Sequence, residues 1–333
     1  MRTTRYLLAF ASALALSSAA CAESETETSG ESAALNTSQD GDQNAAQPEA
    51  EAAPSPEEAA YQAAVETAPE RAWRTVEADD LLKITTDEGV IWVELADAFA
   101  PNHAARMREL ARDDWFDFKV WHRVIDGFMA QGGGALDNPS IDAPTDPLEA
   151  EFTLRRDPAQ VEVTEIQERV INPRSNRSRA QAGFWNGFPA GTQPAAAAGV
   201  MGDGRVDSWL IHCDGAAAMA RTQDPNSANA QFYIVRGEAE HLNTQYTVWG
   251  KVREGHEVTY ALKEGVLGQD RGFRPSFIED MRVAADLPED ERPSVQVMNT
   301  SSEAFAAYLD ALEAAEGEMP DLCDIDVPVR VSP

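Results

Sequence analysis

WHRVIDGFMAQGGG, residues 121–134, is the stretch on which the fold turns. Its first half is aromatic and β-branched, as strands are, and Gly132 to Gly134 cannot continue a regular element but let the chain turn tightly. On a strand, Arg123 shares a face with Trp121 and Ile125, so one guanidinium stands on an otherwise apolar face. Upstream, LLKITTDEGVIWVELA holds two β-rich runs around Thr86-Asp87-Glu88-Gly89, which has hairpin chemistry, and Ile91, Val93 and Leu95 alternate with Trp92 and Glu94. Pro101 opens a helix in which Ala104, Met107, Leu110 and Ala111 recur at helical spacing. Downstream, AQFYIV and YTVWGKV are short and β-rich. Many short strands with few helices predict a mainly β chain closed into a barrel, not a parallel α/β sheet.

Three strings, in order, carry a resemblance. WHRVIDGFMAQGGG at 121–134, GAAAMARTQDPNSANAQFYIV at 215–235 and HLNTQYTVWGKV at 241–252 resemble the three signatures of the cyclophilin-type peptidyl-prolyl cis/trans isomerases. The likeness covers roughly 81–152 and 212–285. It implies a closed eight-stranded antiparallel barrel capped by helices, with a large loop insertion and a C-terminal extension.

The implied reaction is rotation about an X–Pro amide, whose resonance sets a barrier of about 18–20 kcal/mol and an uncatalysed exchange time of tens to hundreds of seconds. No bond is made or broken, so neither metal nor cofactor is expected. The site needs an apolar slot for the prolyl ring, groups that hold the flanking backbone, and a cation that bonds better to the twisted amide than to the planar one. The resemblance makes Arg123 the catalytic arginine. It puts Phe128, Met129, Tyr233, Leu242 and Tyr246 around the prolyl slot, with Phe232 beside Tyr233. Gln131, Ala220, Arg221 and Gln231 fall where the family contacts the substrate backbone. Tyr233 replaces a common phenylalanine, and its hydroxyl requires a partner if buried. His241, where animal members often carry tryptophan, is read as a rim residue.

The 333 residues carry 57 Asp plus Glu against 27 Lys plus Arg, a net charge of −30. Such a surface repels phosphate backbones and argues against nucleic-acid binding. The Arg-rich stretch Arg169 to Arg179 is expected to pair internally with acidic neighbours. Arg2 and Arg5 precede an apolar run from Leu7 to Leu16, an export signal over 1–22. Two processing routes fit its end: Ala20-Cys21-Ala22 as an A-x-A site, or Ser18-Ala19-Ala20-Cys21 as a lipobox with Cys21 lipidated. Residues 23–70 lack Lys and Arg and read as a disordered acidic tether, with a short helix around Ala59 to Val65. A cyclophilin-like domain follows over 71–285, interrupted by the insert at 153–211. The extension at 286–333 holds one helix, capped by Ser301 or Ser302 and striped by Phe305, Leu309 and Leu312.

In an exported chain, Cys213 and Cys323 either form a disulfide or remain two buried thiols. The expected partners are proline-containing polypeptides of the periplasm or envelope, with membrane contact only through a lipid anchor. The rival reading is a peptide-binding module or envelope adaptor with little turnover.

Overall fold

Across the turn Thr86-Asp87-Glu88-Gly89, strands Leu81–Thr86 and Gly89–Leu95 pair antiparallel, and the Thr86 hydroxyl donates to the Gly89 carbonyl at 2.8 Å. Alternation then sorts the side chains: Leu82, Ile84, Ile91 and Val93 enter one apolar core, while Leu81 and Trp92 enter another. This hairpin sits within a curled antiparallel sheet of ten strands. In order they are Gly265–Val266, Arg123–Ile125, Met129–Gly132, Phe232–Val235, Ala216–Met219, Val248–Glu254, Gly89–Leu95, Leu81–Thr86, Phe277–Val283 and Lys119–Val120. The computed structural model describes residues 54–159, 163–170 and 179–332.

The expected closed eight-stranded barrel is therefore corrected to an open ten-stranded sheet. The chain leaves the strand conformation at Trp121 and His122, which splits Lys119–Val120 from Arg123–Ile125 and puts these pieces near opposite ends of the sheet order. No ladder joins the two outermost strands; an isolated bridge runs from Val120 to Gly134, just past Met129–Gly132. The same break overturns the expectation that Trp121 shares a face with Arg123: Trp121 is fully buried among Phe232 and its neighbours.

Helix α2 (Pro101–Arg112) covers the sheet with Ala104, Met107, Leu110 and Ala111. Its N-terminal amides lack a cap of their own, and the Glu151 carboxylate accepts from the N–H groups of Asn102 (3.1 Å) and His103 (3.0 Å). An anion belongs at that end of a helix dipole.

The 153–211 insert is not a loop. It forms a second antiparallel sheet in the order Leu154–Arg156, Val206–Leu210, Phe188–Thr192, Arg179–Trp185, Thr164–Val170. Both faces of its central strands are buried. Phe188, Ala190 and Leu210 pack beside Met129 and Tyr233 on the outside of the ten-stranded sheet. Ala182, Phe184 and Trp209 pack under the C-terminal extension. Of the insert's arginines, Arg155 meets Asp203 and Asp207. The side chains of Arg169, Arg174, Arg177 and Arg179 lie outside the described residues.

Strands Trp73–Thr75, Ser294–Met298 and Val329–Ser332 make a third small sheet, so residues 71–80 join the extension, not the large sheet. Helix α3 (Glu303–Glu316) is capped by the Ser302 hydroxyl, which accepts from the Phe305 N–H at 3.1 Å. Phe305, Leu309 and Leu312 form its buried stripe, with Phe305 edge-on to Phe184 of the insert.

The tether read as running to residue 70 ends earlier. Helix α1 (Pro56–Thr67) opens with a reciprocal Ser55–Glu58 capping box, and its Tyr61 lies edge-on to Tyr308 of α3. The export signal, Cys21 and residues 23–53 lie outside the described residues. A disulfide joins Cys213, at the end of the insert, to Cys323 of the extension, with Cα atoms 5.0 Å apart.

Candidate active site

A three-residue loop, Asp126-Gly127-Phe128, turns Arg123–Ile125 back onto Met129–Gly132, with Gly127 at φ 62°. That left-handed conformation is why glycine stands there. The register places Arg123 opposite Gln131, and the next ladder places Gln131 opposite Tyr233. Residues opposite each other in successive ladders share a face, so Arg123, Gln131 and Tyr233 form one row across three strands. A short turn and a period of two thereby gather groups from distant parts of the chain.

The row lines a groove of about 280 Å³ whose walls are Arg123, Phe128, Met129, Gln131, Ala220, Arg221, Tyr233, Leu242 and Tyr246. Nine of the twelve residues expected at the site therefore meet around one cavity. The Gln131 side-chain amide donates to Gln231 Oε1 at 3.2 Å, which places Gln231 behind Gln131 instead of on the wall. His241 is exposed at the rim, its ring 5.5 Å from that of Phe128. Phe232 is a correction. It is fully buried in the opposite core against Phe116, Trp121 and Trp249, because the residue beside Tyr233 on a strand must face the other way.

The Arg123 guanidinium lies 5.8 Å from the centre of the Phe128 ring and 3.6 Å from Met129 Sδ. Among the described residues it has no carboxylate partner. Partial burial draws its pKa down, and nearby Tyr246 opposes that; an arginine nonetheless stays charged. The cation is thus partly desolvated and held beside an apolar slot.

Beneath the floor, Tyr233 is only 5% exposed, and burial raises its pKa well above the ordinary phenol value. Its hydroxyl lies 3.1 Å from His212 Nε2, while His212 Nδ1 lies 3.0 Å from Asn243 Oδ1. The Asn243 oxygen can only accept, so Nδ1 carries the proton and Nε2 accepts from the tyrosine. Burial lowers the His212 pKa to about 4, which keeps it neutral and able to accept.

Sequence reasoning missed both His212 and Asn243. The signal available was the Tyr233 hydroxyl, which demanded a partner without naming one.

Residues 81–283 match the family model described as cyclophilin type peptidyl-prolyl cis-trans isomerase/CLD. A probable peptidyl-prolyl cis-trans isomerase of Brucella suis biovar 1 (strain 1330) is 28% identical over 200 residues, covering 60% of this chain and 80% of the relative. Peptidyl-prolyl cis-trans isomerase cyp18 of Streptomyces antibioticus is 28% identical over 215 residues, covering 61% and 97% respectively. Among solved structures, cyclophilin AquaCyp293 from Hirschia baltica superposes with a TM-score of 0.67 at 33% identity, over 80% of this chain and 98% of that one. The match to the family model spans both hairpins and all three strings that build the groove, and the chain belongs to the cyclophilin-type peptidyl-prolyl cis-trans isomerases.

Proposed function

We propose that the groove binds proline-containing segments of exported polypeptides and that Arg123 is the electrostatic catalyst of X–Pro rotation there. The observation that carries this reading is a guanidinium that, among the described residues, has no carboxylate partner, at the mouth of a slot walled by Phe128, Met129, Leu242 and Tyr233. The prolyl ring occupies the slot and loses water there. As the amide twists, conjugation fades and the prolyl nitrogen becomes a better acceptor, so a pre-placed N–H donor stabilises the twisted state over either planar one. Gln131, steadied by Gln231, and the backbone at Ala220 hold the flanking peptide. No cofactor takes part in any step.

Loss of one such donor costs about 100- to 1,000-fold in rate. Arg123→Ala should lose activity on that scale in a protease-free assay on an Xaa-Pro peptide, with its thermal midpoint little changed. Equal activity of the two proteins would remove Arg123 from the mechanism. A folded wild type that binds such peptides without turning them over would make the groove a peptide-binding module instead.

The placement of this activity in the envelope is supported by the basic, apolar and small-residue succession of residues 1–22, with Cys21 as the attachment point for a lipid. Cell fractionation of the wild type and Cys21→Ser decides between the two processing routes. Release of the variant from membranes is expected for the lipidated form, and a wild type recovered soluble supports simple cleavage.

A further inference from the structure

We propose that the groove selects prolines flanked by an acidic side chain, and that Arg221 reads that side chain. The inference rests on the isomerase reading and adds a substrate class to it. Its basis is a local inversion of charge. Across the chain Asp and Glu outnumber Lys and Arg by 57 to 27, and many arginines elsewhere meet carboxylates, among them Arg74 and Arg253 on Glu94, Arg155 on Asp203 and Arg282 on Asp117. The groove lining instead holds two guanidiniums, Arg123 and Arg221, and no carboxylate. Neither forms an ion pair among the described residues.

Arg221 is fixed in place without being neutralised. Its Nε donates to the Gln245 carbonyl at 3.0 Å and its Nη1 to the Thr222 carbonyl at 2.7 Å. The guanidinium carbon stands 4.3 Å from the centre of the Tyr246 ring and 5.4 Å from that of Phe152. Carbonyl dipoles and ring faces orient the group while leaving its full charge in place. Nη2 makes no hydrogen bond among the described residues, so a donor remains for a ligand. An oriented guanidinium loses little freedom when it takes up a carboxylate, and that pairing is stronger than a neutral hydrogen bond. With Arg123 engaged at the prolyl amide, Arg221 is the cation left for a neighbouring side chain. A lysine beside the proline would instead meet two like charges.

The test uses the folded protein and two sets of proline peptides. In one set the residue before the proline is Glu, Gln or Lys; in the other, the residue after it. Affinity is measured by calorimetry and turnover by a protease-free assay. In at least one set the Glu peptide should bind about 5- to 10-fold tighter than the Lys peptide at low salt. The ratio should shrink towards one at about 0.5 M KCl. Arg221→Gln should collapse the ratio, and Arg221→Lys should keep most of it, which a packing role for Arg221 would not produce.

Equal Glu and Lys affinities in both sets would overturn the inference. So would a preference that survives in Arg221→Gln. Turnover of the neutral Gln peptide reports the isomerase reading separately: turnover without charge preference defeats only the selectivity, and charge-selective binding without turnover defeats only the catalysis.

Discussion

His212 makes a prediction that can be followed in detail. It is fully buried and bonded on both ring nitrogens, and its pKa falls from 6.5 to about 4 because burial penalises the imidazolium. The unfolded chain, with this histidine near its ordinary value, takes up a proton first as pH falls. The stabilisation is therefore complete above pH 6.5 and is lost progressively towards pH 4. The gap corresponds to about 3 kcal/mol in total, of which about 2 kcal/mol is lost between pH 7 and pH 5. Other groups titrate as well, among them His122, whose pKa burial also lowers. A control must therefore remove only the His212 contribution. His212→Gln does so, since its amide can donate to Asn243 and its carbonyl can accept from Tyr233, yet it does not titrate. Urea unfolding of both proteins at pH 7, 6 and 5 should show the wild type losing about 2 kcal/mol more than the variant across that range. Parallel stability curves would refute the neutral, buried histidine beneath the pocket floor.

Two other perturbations test the layers that surround the groove. The Cys213–Cys323 bridge closes a sequence separation of 110, for which the chain-entropy relation gives about 4.8 kcal/mol, so Cys323→Ser should lower the urea midpoint sharply. Alkylation of the denatured wild type without reductant should leave Cys213 and Cys323 unlabelled, and two labelled thiols would contradict the bridge. Glu94 is buried between Arg74 (2.6 Å) and Arg253 (2.7 Å), so Glu94→Gln should cost about 3–5 kcal/mol by leaving the buried Arg253 guanidinium uncompensated. An unchanged unfolding midpoint would show that water still reaches these charges.

The parts of the site that short-range spacing controls were legible before any coordinates. Arg123, Phe128, Met129 and Gln131 lie within one hairpin, and a tight turn together with the period of a strand assigns them to one place. Phe232 was misread against that same rule, because a family string names neighbours without saying which way each one faces. The Trp121 face failed for a different reason: alternation holds only while the strand lasts, and this one breaks at His122.

The central strands of the insert stayed unreadable because both their faces are buried, with small residues such as Ala180, Ala182, Ala190 and Gly191 interleaved among the large ones. No polar face marks their period, so they lack the contrast that reveals a half-buried sheet. Sequence by itself determined the mainly β class, through residue type and local pattern, while the resemblance of its three strings named the family and most of the groove wall. Only the tertiary structure decided the open ten-stranded order, the pairing of Cys213 with Cys323, and the His212–Asn243 support beneath Tyr233. Each of these depends on where remote segments of the chain come to rest, which the packing of whole layers determines and local pattern does not encode.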